Sequence, residues 1–489
     1  MFDYNNENNL SMLADYYEFT MANGYLENGL EDTITYFDMY FRSVPDDGGF
    51  VITAGLEQLI DYLENLKFTD KDIEYFKSKN CFSEKFLNYL RDFKFECDVW
   101  AMPEGTIAFP HEPLMIVRGP AIQAQILETM ALLTLNHQTM IATKANRIVR
   151  AADGRPVMEF GARRAHGITA ATLGARAAYI GGVAGTSNTL TDEKFNVPAL
   201  GTMAHSWIMM FDNEYDAFKA YAEMFPDNCT LLVDTYNVLE EGVPNAIKVF
   251  DDILKPLGKR PQGIRIDSGD IAYLSKRARV MLDEAGYEDC GIVASNALDE
   301  YSIRSLLKNQ GAKLDSFGVG ERLITSRSHP VFGGVYKLVA LEDKDNNIIP
   351  KIKISENVGK ITTPGFKTVY RMYDKDTHKA EADLVCLYEE NIEDDKPIEI
   401  FHPVHTWKRK TMTNFYTKKL LVPIFEKGKL VYDKPSLEEI RNYTKKELET
   451  LWPEIKRFEN PHKYIVDLSL PLWKIKNELL LKSKSKNNI

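Results

Sequence analysis

Cysteine is scarce in this chain of 489 residues: there are five, Cys81, Cys97, Cys229, Cys290 and Cys386, with no C-x-x-C among them. So odd and scattered a set excludes a disulfide framework and the usual structural zinc spacing, and it fits free thiols in a reducing compartment. No run approaches the roughly 20 apolar residues that a membrane helix needs. The opening MFDYNNENN has neither the basic nor the apolar region of a signal peptide, so a cytoplasmic location is expected. Positive charge is not in excess either. Lys and Arg number 60 against 71 Asp and Glu, a net charge of −11, which argues against nucleic acid or an anionic membrane as partner.

Several catalytic signatures are also missing. Gly258-Lys259 runs into Arg260 and Gly359-Lys360 into Ile361, so there is no P-loop. Gly318-Val319-Gly320 is followed by Glu321, Arg322 and Leu323, and the dinucleotide fingerprint fails at its third glycine. Neither G-x-S-x-G nor H-E-x-x-H occurs, which removes the common serine-hydrolase and zincin readings.

What is present is an ordinary globular composition, 44% hydrophobic and 27% charged. Residues 35–42 alternate as a half-buried strand, 56–66 carry apolar residues at helical spacing, and a Lys-rich helical region extends to about residue 95. The prolines and glycines of 97–120 predict short strands and turns, a small sheet with proline at its edges. Two helices are predicted next, one from Ala121 and a second over 142–152. Four short apolar runs then end at Asp234, Asp267-Ser268, Ser295-Asn296 and Gly318-Val319-Gly320, separated by 33, 28 and 23 residues, with helical patterns over 243–257, 271–285 and 298–310 between them. Those are successive βα units with reactive side chains at the carboxyl ends of the strands, as in a βα barrel or a doubly wound sheet. A charged hairpin turn follows at 342–347, and Lys482-Ser483-Lys484-Ser485-Lys486 reads as a solvated tail. The boundaries drawn are 1–140, an N-terminal α/β domain; 141–341, a catalytic barrel; and 342–489, a segment completing the first domain plus the tail.

Four clusters carry chemistry. In Glu159-Phe160-Gly161-Ala162-Arg163-Arg164-Ala165-His166-Gly167, two arginine forks suited to phosphate adjoin an aromatic face suited to a planar ring. Gly185-Thr186-Ser187-Asn188-Thr189 is a hydroxyl-rich turn. Gly201-Thr202-Met203-Ala204-His205-Ser206-Trp207 sets a histidine at a helix start. In Arg265-Ile266-Asp267-Ser268-Gly269-Asp270, a strand puts Arg265 and Asp267 on one face, and an arginine buried there calls for an anionic ligand or partner. The turns at Ser295-Asn296 and Gly318-Val319-Gly320 add backbone amides that can cradle phosphate. Together they predict an enzyme or binder for a small phosphorylated, anionic metabolite.

With these motifs in this order, preceded by Asp15-Tyr16-Tyr17-Glu18-Phe19-Thr20-Met21 and including LLVDTYN at 231–237 and FGVGERL at 317–323, the chain resembles the nicotinate phosphoribosyltransferases. The stretch HPVHTWKRK at 402–410 also looks like that family's tail. The resemblance implies the type II phosphoribosyltransferase fold, an irregular βα barrel packed against an α/β sandwich-like domain, in a homodimer with shared active sites. It implies transfer of phosphoribose from phosphoribosyl pyrophosphate to nicotinate in NAD salvage, with Mg2+ present and ATP as a co-substrate. By the same resemblance Tyr17, from the partner subunit, and Phe160 sandwich the pyridine ring. Arg265 faces its carboxylate, Asp267 the ribose, Arg163 and Arg164 the phosphates, and His205 is the histidine that ATP phosphorylates, with Thr202 beside it. Ser268, Ser295, Asn296, Gly318 and Gly320 are expected to line the substrate. Many relatives have Thr where this chain has Glu321, so the phosphate loop is expected to act through the backbone of Gly318 to Gly320. The nicotinamide enzymes place an aspartate at the position of Ser187, where it would repel a carboxylate; Ser187 therefore favours the acid. The alternatives are a nicotinamide phosphoribosyltransferase and a non-catalytic metabolite-binding barrel.

Overall fold

The computed structural model describes residues 9–486 and divides into two compact units, residues 141–330 and residues 1–140 with 331–489. The amide-rich opening through residue 8 lies outside the described residues.

The unit of residues 141–330 is built on a six-stranded parallel sheet in the order Gly185–Thr186, Val157–Glu159, Ser316–Val319, Gly291–Ser295, Gly263–Ile266, Thr230–Leu232. Its strands read as short apolar runs because both faces are covered: Leu231, Ile264, Ile266, Ile292, Ala294, Phe317 and Val319 are all buried. Helices such as Ile271–Glu284 return the chain between parallel strands, the arrangement of a βα barrel-like domain. Among the described residues no ladder joins the two edge strands. The register puts Ser295, Gly318, Met158 and Gly185 in one row across four strands, so the polar strand ends open on the same side.

The unit of residues 1–140 and 331–489 contains a seven-stranded antiparallel sheet ordered Ile348–Pro350, Gly334–Glu342, Ile34–Phe41, Pro113–Pro120, Asp98–Ala101, Val422–Glu426, Lys429–Leu430. A four-stranded sheet follows the order Phe415–Lys419, Lys367–Asp374, Ala380–Leu387, Val466–Leu468. An apolar core of this unit joins Phe37 and Met39 to the helices Leu56–Glu64, Asp70–Ser78 and Glu84–Arg91.

Several expectations need correction. The strand Pro113–Pro120 is interior, between Ile34–Phe41 and Asp98–Ala101, not part of a small proline-edged sheet. Its prolines stand at its two ends, where the missing N–H least disturbs the ladder. The two helices expected after Ala121 are a short turn, Ala121–Gln125, and one 24-residue helix, Glu128–Ala151, which absorbs the second. The helices expected over 243–257 and 298–310 are α-helical only over Val243–Val249 and Glu300–Arg304. Beyond those points the bonding widens by a residue, with Lys255 N donating to Phe250 O (2.9 Å) and Gln310 N to Ser305 O (3.0 Å). The stretch 482–486, expected as a solvated tail, lies at the end of the helix Leu470–Lys486.

Candidate active site

Arg265 organises the strand ends. Its side chain is 15% exposed: Nε donates to Ser295 Oγ at 2.8 Å, Nη2 to Asp267 Oδ1 at 3.1 Å and Nη1 to Thr202 Oγ1 at 3.3 Å. Its guanidinium carbon lies 5.6 Å from the centre of the Phe160 ring. Burial raises the Asp267 carboxyl pKa, but the Ser295 hydroxyl and the Arg265 guanidinium outweigh it and hold that pKa below the ordinary value. The strand spacing thus delivers the predicted pairing, and Asp267 is the partner that the half-buried arginine required.

His205 begins the short helix His205–Met209, and its Nε2 lies 3.0 Å from Asp234 Oδ1. Asp234, 1% exposed, caps the strand Thr230–Leu232 and uses its other oxygen for Ser268 Oγ (2.6 Å) and the backbone N–H of Asp267 (3.1 Å). Because a carboxylate can only accept, this contact has the imidazole donating from Nε2. Asp234 had no assigned role in the sequence reading. Its signal was available, since it ends an apolar run in the same strand-end position as Asp267.

The other wall is formed by Phe160 and the glycine turn. A Cβ on Gly318 would stand 2.6 Å from the Phe160 ring, and one on Gly320 would stand 3.1 Å from the Phe160 carbonyl oxygen. Glycine at 318 is therefore what lets the ring lie over this strand end. Glu159 anchors the same wall: it accepts from Thr186 Oγ1 (2.7 Å) and from the Gly161 backbone, while its carbonyl accepts from Ser187 N (2.9 Å). Burial pushes its pKa up against those donors. Glu159 is a second residue to which the sequence reading gave no role.

Ser187 is exposed just beyond Gly185–Thr186, and Asn188 caps the following helix. Arg163 and Arg164 form an exposed turn, Ala162–Arg164. Asn296, exposed after Ser295, has φ +115. Glu321 accepts from Arg327 Nη1 at 3.2 Å, an exposed pairing that ties its carboxylate to its own turn. Tyr17 belongs to the other unit, on the helix Tyr16–Glu27, where it is 43% exposed.

A parallel βα unit that gathers an arginine, two carboxylates and a histidine at its strand ends is an α/β enzyme site for a small anionic metabolite. Models described as the nicotinate phosphoribosyltransferase N-terminal domain, family and C-terminal domain match residues 12–136, 156–382 and 366–476. The nicotinate phosphoribosyltransferase of Bacillus subtilis (strain 168) is 45% identical over 482 residues, covering 98% of this chain and 97% of that protein. That of Dictyostelium discoideum is 34% identical, covering 96% and 88%. The crystal structure of human nicotinic acid phosphoribosyltransferase superposes with a TM-score of 0.84 at 29% identity, covering 95% of this chain and 99% of that one. The chain belongs to the nicotinate phosphoribosyltransferase family.

Proposed function

We propose that this protein joins nicotinate to phosphoribosyl pyrophosphate, giving nicotinate mononucleotide and pyrophosphate for NAD salvage, with ATP hydrolysis coupled to the transfer. The observation that carries the reading is Arg265, held between the Phe160 ring, Ser295 and Asp267. A planar ring with a carboxylate matches an aromatic face beside a guanidinium fork. In the transfer, the C1–O bond to pyrophosphate breaks and its electron pair leaves with the pyrophosphate. The ribose becomes oxocarbenium-like at C1, and the pyridine nitrogen lone pair closes the new bond from the opposite face. Asp267, charged at neutral pH, is suited to hold the ribose hydroxyls, and Arg163 and Arg164 the phosphates. Preorganised donors of this kind contribute about 3–4 kcal/mol each to transition-state stabilisation.

The family also implies Mg2+. Among the described residues no three or more His, Cys, Asp or Glu gather as a metal cage. Mg2+ keeps several waters and is bound by one or two carboxylates with substrate phosphates, and Asp267 would be the carboxylate that holds it here. When bound it would neutralise charge on the leaving pyrophosphate.

For the coupled step, Nδ1 of His205 attacks the γ-phosphorus of ATP; the N–P bond forms as the bond to ADP breaks, and water later releases phosphate. Asp234 keeps the other nitrogen protonated and the ring oriented. We further propose a homodimer in which Tyr17 completes the pyridine site of the partner. The test is turnover with nicotinate, nicotinamide and quinolinate, each with and without ATP. Nicotinate preferred and stimulated by ATP supports the reading; equal use of nicotinamide, or no pyrophosphate release from any of the three, overturns it.

A further inference from the structure

Glu159 ends the strand Val157–Glu159 and is 0% exposed, yet the transfer chemistry gives it no part. Its partner in register on one neighbouring strand is Val319, so the sheet itself does not call for a carboxylate in this row. Its partner on the other side is Thr186. One carboxylate oxygen accepts from the Gly161 backbone N–H, and the other from Thr186 Oγ1 at 2.7 Å. The Glu159 carbonyl accepts from Ser187 N at 2.9 Å, and Thr186 Oγ1 in turn accepts from Asn188 N at 3.1 Å. Ser187 is thereby pinned on both sides, with its side chain left exposed. On the opposite flank, Phe160 N donates to Val319 O at 2.8 Å, and Gly161 follows directly. A Cβ on Gly161 would stand 2.7 Å from Glu159 Oε1, so glycine there lets the carboxylate fold back onto its own chain.

The hydrogen-bond pattern calls for the ionised acid. Gly161 N–H can only donate, and Thr186 Oγ1 already accepts from Asn188 N, so an O–H on Glu159 would leave a proton without an acceptor. With Glu159 ionised, each of these protons has one. Burial, the largest influence, raises its pKa above the ordinary carboxylate value, against the pull of the Thr186 hydroxyl and the Gly161 N–H. Among the described residues no lysine, arginine or histidine pairs with it. A buried carboxylate without a cation is costly, and an apolar residue such as Val319 fills the same row on the next strand. The carboxylate therefore serves what it joins, the turn after Phe160 and the turn that carries Ser187.

We propose that Glu159 is a specificity-determining positioning residue, whose carboxylate sets the Phe160 ring face and the Ser187 turn at a fixed spacing across the strand ends. The proposal rests on the function given above, in which Phe160 stacks on the pyridine ring and the Ser187 turn lies beside the ring substituent. The Arg265 guanidinium, 5.6 Å from the centre of the Phe160 ring, is the third side of the same enclosure. A ring substituent is then read between a cation that attracts a carboxylate and a turn whose place Glu159 controls. Moving that turn changes how an acid and an amide are told apart, whereas a general loosening of the sheet lowers the use of both.

The experiment measures kcat and KM of the full chain for nicotinate and nicotinamide in Glu159→Gln, Thr186→Val, the two combined, and Thr186→Ser. Glutamine turns an amide NH2 toward one of the two donors, and valine removes the hydroxyl with little change of shape. Each should lower the ratio of kcat/KM for nicotinate to that for nicotinamide by roughly tenfold. The loss should fall mainly on KM for nicotinate. The combined variant should lose little more than either alone, because both changes break the same contact. Thr186→Ser, which keeps the hydroxyl, should retain the parent ratio. If Glu159→Gln does not fold, Thr186→Val against Thr186→Ser carries the same comparison. Folded variants that keep the parent ratio, even with both rates lowered, would overturn the positioning role and leave the proposed function standing. A parent chain with no preference for nicotinate would overturn the proposed function and the positioning role with it.

Discussion

At the scale of single residues, the proposed strand-end chemistry divides into transfer and coupling. The arginine and Asp267 can support phosphoribosyl transfer without a histidine nucleophile, whereas a phosphoryl group from ATP needs one. Met203, Ala204 and Trp207 beside His205 cannot serve. His205→Ala is therefore expected to lose acid-labile phosphorylation and nicotinate-stimulated ATP hydrolysis while a slower, ATP-insensitive synthesis survives. Labelled γ-phosphate followed on the protein, with mononucleotide measured in the same tubes, checks this; a variant that still takes up the label would assign the acceptor to another residue. Ser187 belongs to the same scale. With its backbone fixed by Glu159 O and its side chain exposed, Ser187→Asp should lower nicotinate use by like-charge repulsion and shift preference toward nicotinamide. An unchanged acid-to-amide ratio would remove this turn from the ring site.

At the scale of elements, the four strands ending at Asp234, Asp267, Ser295 and Gly318 were legible because apolar runs stop abruptly at polar residues. The strands Val157–Glu159 and Gly185–Thr186 were not, since three and two residues cannot display a period; only the adjoining motifs pointed there. The pairing of His205 with Asp234 was also hidden, because contact between a helix start and a strand end 29 residues apart depends on the tertiary fold rather than on spacing. The helix Tyr16–Glu27 offers a pH test of its own. Glu18 is buried, accepts from Asp15 N (3.3 Å) and from Thr129, and has a pKa raised to about 7, chiefly by burial. A raised carboxyl favours the folded state below its unfolded pKa, and that contribution disappears as pH rises through about 7. Melting of Glu18→Gln against the parent chain from pH 4.5 to 8 should show the variant gaining relative stability with rising pH. A constant difference would mean that Glu18 is already ionised at the acid end.

At the scale of the whole molecule, one compact unit draws on both ends of the chain while the other is continuous, which is why Tyr17 lies so far in sequence from the strand-end residues. If Tyr17 completes a partner's site, a mixture of Tyr17→Ala and Arg265→Ala chains should turn over nicotinate faster than either variant alone, because one hybrid site then has both wild-type residues. Demonstrated subunit exchange without recovery would count against sharing.

The central claim is that Arg265 grips the carboxylate of nicotinate, and comparing kcat/KM for nicotinate and nicotinamide in the parent chain and Arg265→Ala tests it most directly. Losing a charge-assisted hydrogen bond should cost about 1.5–3 kcal/mol, or roughly 10- to 150-fold in kcat/KM for nicotinate. Nicotinamide, which has no carboxylate to lose, should be affected less, so the preference for the acid collapses. An Arg265→Ala enzyme that keeps both its kcat/KM for nicotinate and its preference for the acid would contradict the account.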